Sequence, residues 1–256
     1  MSASDTAKIK EGLEPFSSIP FGTLGQVSLL RRYDTKYVCS VEEALALLSR
    51  VGGCYSVASQ EGRLISSYRT LYFDTPDLRC FHDHRRGRRS RYKFRFREYV
   101  DRKKTFFEVK EKTNRGETRK LRLERSVEAD ERLSHEEAEA LERNSPFQAS
   151  EFQAHLSTCF RRFTLVDPSR KERVTFDHDL EFLLERESRS LPGLVIIEVK
   201  QMRPDRNSPI VGALRSMRIQ SMQFSKYCAG NVMFAVERSA GFYKENMRKV
   251  MGAANG

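Results

Sequence analysis

A stretch in the first half of the chain, 90–99, alternates cationic and aromatic residues with a period of two. Its cations are Arg91, Lys93, Arg95 and Arg97. A period of two is that of a β-strand, whose successive side chains point to opposite faces. The stretch therefore predicts a strand with one aromatic and one strongly basic face. Neighbouring cations repel one another, so this basic face is either a solvated edge or the lining of an anion site.

The same division into an apolar and a basic face recurs along the chain. We predict further strands at 27–39, 65–74, 104–112, 117–125, 159–166, 172–180 and 193–201. A helix is predicted at 41–50, because Ser40 and Glu43 have the spacing of a capping box. Other helical segments are predicted at 76–86 (a short helix or loop), from Ser134, at 147–158, at 205–219 and through most of 225–250.

About eight such strands can close into a barrel that is wide enough for a ligand. If the apolar faces form a core between two sheets, the charges lie outside; if helices wrap a barrel, the charges line its lumen. A lumen with many cations needs a strongly anionic guest, since buried like charges are costly. A chain of phosphates, gripped by Arg and Lys, is such a guest. The expected fold is α+β, an antiparallel β-barrel tunnel wrapped by helices.

Composition agrees with an anionic partner. The 256 residues carry a net charge of +11, which is typical of proteins that bind nucleic acid, anionic membranes or phosphorylated molecules. The five cysteines form no CxxC pair, there is no apolar run long enough to span a membrane, and no signal peptide is visible. We expect a cytoplasmic protein with a polar N-terminal segment, 1–25, and a single domain, 26–256.

Two acidic residues lie on predicted basic faces. Glu108 precedes Lys110 by two residues and Glu198 precedes Lys200 by two. Glu108 is either a neutralising neighbour or a functional acid. For Glu198 we favour a metal role, because divalent cations bridge carboxylate and phosphate oxygens in phosphoryl-transfer sites.

Several motifs in this order resemble a known family. They are Arg32-x-Asp34-x-Lys36-Tyr37, Tyr72-Phe73-Asp74-Thr75, Lys93-x-Arg95-x-Arg97, Glu108-x-Lys110, Ile197-Glu198-Val199-Lys200 and Phe224-Ser225-Lys226-Tyr227. The pattern is similar to the triphosphate tunnel metalloenzymes, or CYTH superfamily, and within it to the VTC domain of polyphosphate polymerases. The resemblance covers about 29–233.

The resemblance implies that the γ-phosphate of ATP is transferred to a growing polyphosphate chain, with Mn²⁺ or Mg²⁺ assisting. The predicted catalytic residues are Lys36, Arg95, Arg97, Lys110, Arg162 and Arg173. Further predicted phosphate-binding residues are Arg32, Lys93, Lys120, Arg122, Lys200 and Lys226, and the predicted metal ligand is Glu198. The expected partners are ATP and inorganic polyphosphate or pyrophosphate. Docking on a membrane partner stays open, since eukaryotic relatives carry this domain on membrane helices.

Two positions depart from family patterns. The hydrolytic branch begins with Glu-x-Glu-x-Lys, whereas this chain has Arg32, Asp34 and Lys36, which resembles the polymerase branch. Gln223 stands where the polymerase pattern tends to carry a first lysine.

Three other functions are compatible with the residues. A tripolyphosphatase or nucleoside triphosphatase of the same fold would release phosphate, and a binding module would hold polyphosphate without chemistry. Nucleic-acid binding would need the alternating aromatics to be exposed for base stacking. Because apolar faces recur on every strand, they indicate packing, and no specific nucleic-acid partner is expected.

Overall fold

The computed structural model describes residues 3–22, 33–115, 117–125, 132–234 and 250–252. Eleven strands in these ranges join into one sheet. They are β1 (Ser18–Pro20), β2 (Tyr33–Ser40), β3 (Ser56–Ser59), β4 (Ser66–Asp74), β5 (Arg91–Tyr99), β6 (Lys104–Lys112), β7 (Thr118–Arg125), β8 (Gln153–Asp167), β9 (Glu172–Leu184), β10 (Glu187–Leu191) and β11 (Leu194–Gln201).

Eight of these strands form a continuous antiparallel path in the order β2-β11-β9-β8-β4-β5-β6-β7. The sheet is strongly curved: Lys36 of β2 and Lys93 of β5 are five strands apart, yet they bond to neighbouring residues, Phe224 and Ser225. Between the edge strands β2 and β7, no ladder closes the described part of the sheet. The predicted tunnel-like fold is thus confirmed as a curved, open-edged sheet.

Six α-helices that lie wholly within the described ranges accompany the sheet, and residues 250–252 are helical as well. They are α1 (Ala3–Leu13), α2 (Val41–Val51), α3 (Arg79–Arg85), α4 (His135–Arg143), α5 (Pro209–Ser216) and α6 (Lys226–Met233). The capping box predicted from Ser40 and Glu43 is present at the start of α2. Ser134 and Glu137 form a second one at α4. None of the described helices has the length and apolar character needed to cross a membrane.

The apolar faces of the strands pack outward against the helices. Val195, Ile197 and Val199 of β11 lie in a core cluster with α1, α2 and α5. Phe94 and Phe96 of β5 lie in another cluster, which includes α4. Burial of these faces beneath helices leaves the opposite, charged faces on the concave side of the sheet. Of the two arrangements open to the sequence, the lumen is the one that forms.

The chain from 147 to 158 is not the predicted helix. It contains a single 3₁₀ turn, Ala149–Glu151, followed by β8. Leu156, Thr158 and Phe160 are buried at a period of two, which is the strand pattern. Pairing of β8 with both β4 and β9 overrides the local helical pattern. β10, which pairs with β9, was not predicted either.

The N-terminal segment contributes to the core. Ile9 and Leu13 lie four residues apart on one face of α1, and both are buried in the cluster that includes α2. The predicted division between 25 and 26 lies outside the described residues, as do the first part, 27–32, of the strand predicted at 27–39 and most of the predicted C-terminal helix.

Gly230 packs α6 against the concave side of the sheet, and we expect Gly230→Ala to destabilise the protein. An added Cβ would lie 2.6 Å from Leu156 Cδ2 and 2.7 Å from Phe182 Cδ1. Such overpacking costs about 1–3 kcal/mol and should appear as a lower Tm. The matched control is Gly212→Ala in α5, where an added Cβ meets nothing within 4 Å. That control should leave Tm unchanged or raise it, because alanine has the higher helix propensity; equal effects of the two substitutions would contradict the prediction.

Candidate active site

The concave face, called the lumen below, brings together the predicted site residues that the structure describes. Arg32 lies outside the described residues. The others are Lys36 (β2), Lys93, Arg95 and Arg97 (β5), Lys110 (β6), Lys120 and Arg122 (β7), Arg162 (β8), Arg173 (β9), Glu198 and Lys200 (β11) and Lys226 (α6). Period-two alternation on each strand places the side chains, and sheet curvature brings them together.

Glu108 is the centre of the first charge cluster. Its fully buried carboxylate accepts hydrogen bonds from Arg95 Nε and Nη2 at 2.8 and 2.6 Å and lies 2.6 Å from Lys120 Nζ. Arg97 and Arg122 are 4.0 and 3.8 Å away. Burial alone would raise the pKa of this carboxyl, but the surrounding cations lower it well below its usual range. Glu108 is therefore an ionised anchor that holds Arg95 and Lys120 in position.

Asp177 is the centre of a second cluster, and sequence reasoning assigned it no function. Arg162 grips it through two nitrogens, with Nη2 2.7 Å from Oδ2, and Lys226 Nζ donates to the same oxygen. Burial opposes ionisation of this carboxyl, yet Arg162 and Lys226 hold its pKa far below the ordinary value. The sequence does contain a signal for Asp177, because period-two alternation places it on the same face of β9 as Arg173.

Glu198 is the third ion-paired carboxylate. Lys200 Nζ donates to Glu198 Oε2 and also lies 3.2 Å from Thr175 Oγ1. Burial raises the pKa of Glu198, but the positive charges of Lys200, Lys36 and Lys110 outweigh it, so the pKa lies well below normal. The carboxylate is thus charged and surrounded by cations.

Three other lumenal cations, Lys36, Lys93 and Lys110, form no ion pair within 4 Å with a described carboxylate. Lys36 Nζ donates to the Phe224 carbonyl at 2.8 Å, and Lys93 Nζ donates to Ser225 Oγ at 2.9 Å. Lys110 forms no ion pair within 4 Å in the described chain, and burial together with Lys36 lowers its pKa to about 8. Burial likewise lowers the pKa of Lys93. These groups are arranged for an anion that comes from outside.

A buried aromatic ring, Phe160, lies among three of the cations. Lys226 Nζ is 4.3 Å from the ring centroid, Arg162 Cζ 5.4 Å and Arg97 Cζ 6.0 Å. The negative face of the ring partly offsets the repulsion among these groups. Sequence reasoning did not single out Phe160, because a single aromatic residue on a strand is usually core.

The charge balance of the lumen defines its guest. Eleven of the predicted site residues in the described part of the lumen are cations, and five carboxylates share their strand faces. The cations are Lys36, Lys93, Arg95, Arg97, Lys110, Lys120, Arg122, Arg162, Arg173, Lys200 and Lys226, and the carboxylates are Asp34, Glu108, Glu124, Asp177 and Glu198. Arg173 and Lys200 lie directly opposite each other on neighbouring strands. Such an excess favours a linear polyanion with many charges, such as a chain of phosphates.

A metal would have to share its ligands with the substrate. No group of three or more His, Cys, Asp or Glu in the described ranges could form a complete cage. Glu198 is ionised, and Asp34 lies on the adjacent strand opposite Lys200. One or two carboxylates completed by phosphate oxygens are a usual donor set for Mg²⁺ or Mn²⁺. The residues present fit a metal that binds together with a phosphate chain.

The lumen can be compared with known proteins. Among solved structures, an adenylyl cyclase candidate from Hippeastrum, reported to have a dominant triphosphatase activity, is 14% identical, with 79% of this chain and 96% of that chain covered and a TM-score of 0.48. A proposed adenylate cyclase from Bacillus halodurans is 16% identical, with coverages of 75% and 92% and a TM-score of 0.46. At these scores the likenesses carry no functional information for this chain.

No curated protein sequence matches the chain. The family model described as the VTC domain matches residues 31–234. That range runs from β2 to the end of α6, and every described lumenal cation lies within it. Because the match spans most of the sequence, this chain belongs to the VTC domain family.

Proposed function

We propose that this protein is a polyphosphate polymerase, which transfers the γ-phosphate of ATP to the end of an inorganic polyphosphate chain held in the lumen, with Mn²⁺ or Mg²⁺ assisting. Family membership supports an enzyme of triphosphate or polyphosphate chemistry. The observation that carries the finer proposal is the state of the buried lumenal carboxylates. Glu108, Asp177 and Glu198 are each ion-paired with a cation and have lowered pKa values.

Lowered pKa values make these carboxylates poor general bases for activating water, because a general base works best with a pKa near the working pH. A phosphate acceptor needs no such base, since its terminal oxygen is already anionic. It needs cations that overcome its repulsion from the donor. Lys110, Lys36 and Lys93 form no ion pair within 4 Å with a described carboxylate, so their ammonium groups can contact phosphate oxygens. The lumen therefore favours transfer to phosphate over transfer to water.

Phosphoryl transfer depends mainly on positioning and charge neutralisation. Glu108 holds Arg95 in position, and Asp177 holds Arg162. These two guanidiniums therefore lose little conformational entropy when they donate hydrogen bonds to phosphate oxygens. Lys110 lies near enough to Lys36 and Glu198 to respond to both charges, and it neutralises oxygens between donor and acceptor. When bound at Glu198, a divalent metal would supply further neutralisation of charge that develops on the phosphates. No side-chain nucleophile is required.

We also propose that the protein works in the cytoplasm, where ATP is available, on its own or docked on a membrane partner. None of the five cysteines forms a disulfide, and three of them are buried. Cysteines without disulfide partners are typical of a reducing compartment.

Purified protein given ATP and Mn²⁺ is expected to produce ADP together with a ladder of inorganic polyphosphate on a gel stained for polyphosphate. Removal of the metal with a chelator should stop the reaction. Parallel assays with Mg²⁺ in place of Mn²⁺, and with other nucleoside triphosphates in place of ATP, measure the preferred metal and nucleotide. Orthophosphate release without polymer would instead select a hydrolase. Tight binding of polyphosphate with no ADP formation would select a binding module. Arg215→Gln, an exposed substitution on α5 away from the lumen, is the matched control and should behave as wild type.

A further inference from the structure

A second basic feature adjoins the lumen where β5 begins. Arg85, Arg86, Arg88, Arg89 and Arg91 fall within seven residues. Gly87 ends α3 with a φ of 66°, a left-handed conformation that glycine adopts without strain, and so turns the chain toward β5. The proposed polymerase site uses none of these arginines.

The lumen and this feature are continuous along β5. Arg91 lies on the same face as Lys93, Arg95 and Arg97. It is paired directly across the ladder with Lys112, just as Lys93 is paired with Lys110. Like charges that face each other on neighbouring strands are destabilising unless an anion lies between them. Burial lowers the pKa of Lys112, and Arg91 and Lys36 lower it further, so these charges are within electrostatic reach of one another.

Arg88 pairs with Asp83 at 3.0 Å, but three exposed cations at this end lack acidic partners among the described residues. Arg86, Arg89 and Lys112 are exposed, and none forms an ion pair with a described carboxylate. The Arg91 guanidinium donates to the Arg88 carbonyl at 2.6 Å.

The opposite end of strands β4 to β7 differs. There Arg63 pairs with Asp101 at 3.0 Å and Lys104 with Glu124 at 2.7 Å. Arg63 and Lys104 are thus neutralised at that end, whereas Arg86, Arg89 and Lys112 are not.

We infer that Arg86, Arg89, Arg91 and Lys112, called the outer basic surface below, bind the part of an inorganic polyphosphate chain that extends beyond the lumen. The inference rests on the proposed function for the identity of the guest. Arg91 lies six residues along β5 from Arg97, or roughly 20 Å. A triphosphate held by Arg95, Arg97 and Arg162 does not reach that far, whereas a longer chain does.

Two consequences follow from this arrangement. Affinity should rise with chain length beyond the few phosphates that fill the lumen, because each added phosphate gains another cation. A growing chain should also dissociate less often between transfers, so that long products dominate over short ones.

The test compares two probes, inorganic triphosphate and a long-chain polyphosphate of defined length, by direct binding in the absence of ATP. The variant combines Arg86→Gln, Arg89→Gln and Lys112→Gln. The control removes three exposed cations on the convex side with Lys8→Gln, Lys10→Gln and Arg50→Gln. We expect the preference of the variant for long chain over triphosphate to fall about fivefold or more, with a shallower salt dependence. The control should keep the wild-type preference.

An unchanged preference in the variant would overturn the inference. Single-stranded RNA serves as a third probe: if it binds wild type as tightly as polyphosphate and the variant loses both equally, the surface is a nucleic-acid site, which would also overturn it. Triphosphate binding reports whether the lumen of the variant is intact. Since no turnover is measured, a protein that shows the preference but makes no polymer would contradict the proposed polymerase and leave this inference standing.

Discussion

Glu198→Gln is expected to lower the rate of polyphosphate synthesis about 100-fold or more at saturating ATP and Mn²⁺. The amide keeps the size of the side chain but carries no charge, so it is a much weaker ligand for a hard divalent cation. Glu198 is also the acid that faces Lys200, Lys36 and Lys110. Its loss removes the proposed metal ligand and leaves these cations without their shared counter-charge.

Glu139→Gln is the matched control for this substitution. Glu139 is an exposed acid on α4 that pairs with exposed Arg143 at 3.1 Å, on the convex side of the sheet. It should retain the wild-type rate. A Glu198→Gln protein that makes polyphosphate at the normal rate would contradict the metal assignment.

Stability measurements separate a catalytic effect from misfolding. Removal of the Glu198 charge leaves the buried Lys200 ammonium hydrogen-bonded to the neutral Thr175 hydroxyl, so the empty variant should have a lower Tm than wild type. Added triphosphate should raise the Tm of the variant more than that of wild type, because the anion replaces the missing charge. A variant that regains its Tm with triphosphate yet stays inactive has lost catalysis rather than the fold.

The faces of the strands could be predicted from sequence because they depend on local spacing alone. In β5 the alternation of cations and aromatics fixes which side chains share a face, and Phe94 and Phe96 pack outward as expected. The same reasoning brought Arg95 and Lys110 to one surface. That spacing does not predict which charged side chains form ion pairs between strands. The ion pairs of Glu108 with Arg95 and Lys120 depend on the register of three strands. A shift of one strand by one residue would turn its side chains to the opposite face and break these pairs.

Long-range pairing explains the predictions that failed. The chain from 147 to 158 carries enough apolar residues for either a helix or a strand, and its state is decided by β4 and β9, which lie far away in sequence. Asp177 was overlooked for a related reason. Its partner Lys226 comes from α6, 49 positions later, and no local pattern joins the two. Thus the lining of the site was readable from the sequence, whereas its internal ion pairs were not.

The affinity for triphosphate is expected to fall about tenfold or more as pH rises from 7 to 9. In the empty protein, burial and the neighbouring Lys36 lower the pKa of Lys110 to about 8. Burial also lowers the pKa of Lys226 to about 8, against the opposing effect of Asp177. A bound polyanion favours the charged form of both lysines. Binding above pH 8 must therefore take up protons, and it weakens as protons become scarce.

The same lysines give the opposite trend for the stability of the empty protein. Their folded pKa values, about 8, lie below the ordinary value of 10.5 that applies to the unfolded chain. Between these limits the unfolded state binds more protons, so the contribution of Lys110 and Lys226 to the free energy of unfolding rises with pH across that window.

The predicted pH dependence of triphosphate affinity is tested by calorimetry. Titrations in two buffers with different ionisation enthalpies measure directly the number of protons that are taken up when triphosphate binds. Absence of uptake between pH 8 and 9 would contradict the prediction.

Lys110→Arg tests whether Lys110 carries part of this effect. Arginine keeps its charge throughout the range, so the variant should bind triphosphate with a shallower pH dependence and should take up fewer protons at pH 9 than wild type. Lys8→Arg, on the exposed surface of α1, is the matched control and should leave both quantities unchanged. A wild-type pH profile in Lys110→Arg would assign the linked protons to other lumenal groups. A flatter profile would show that Lys110 takes up a proton when triphosphate binds.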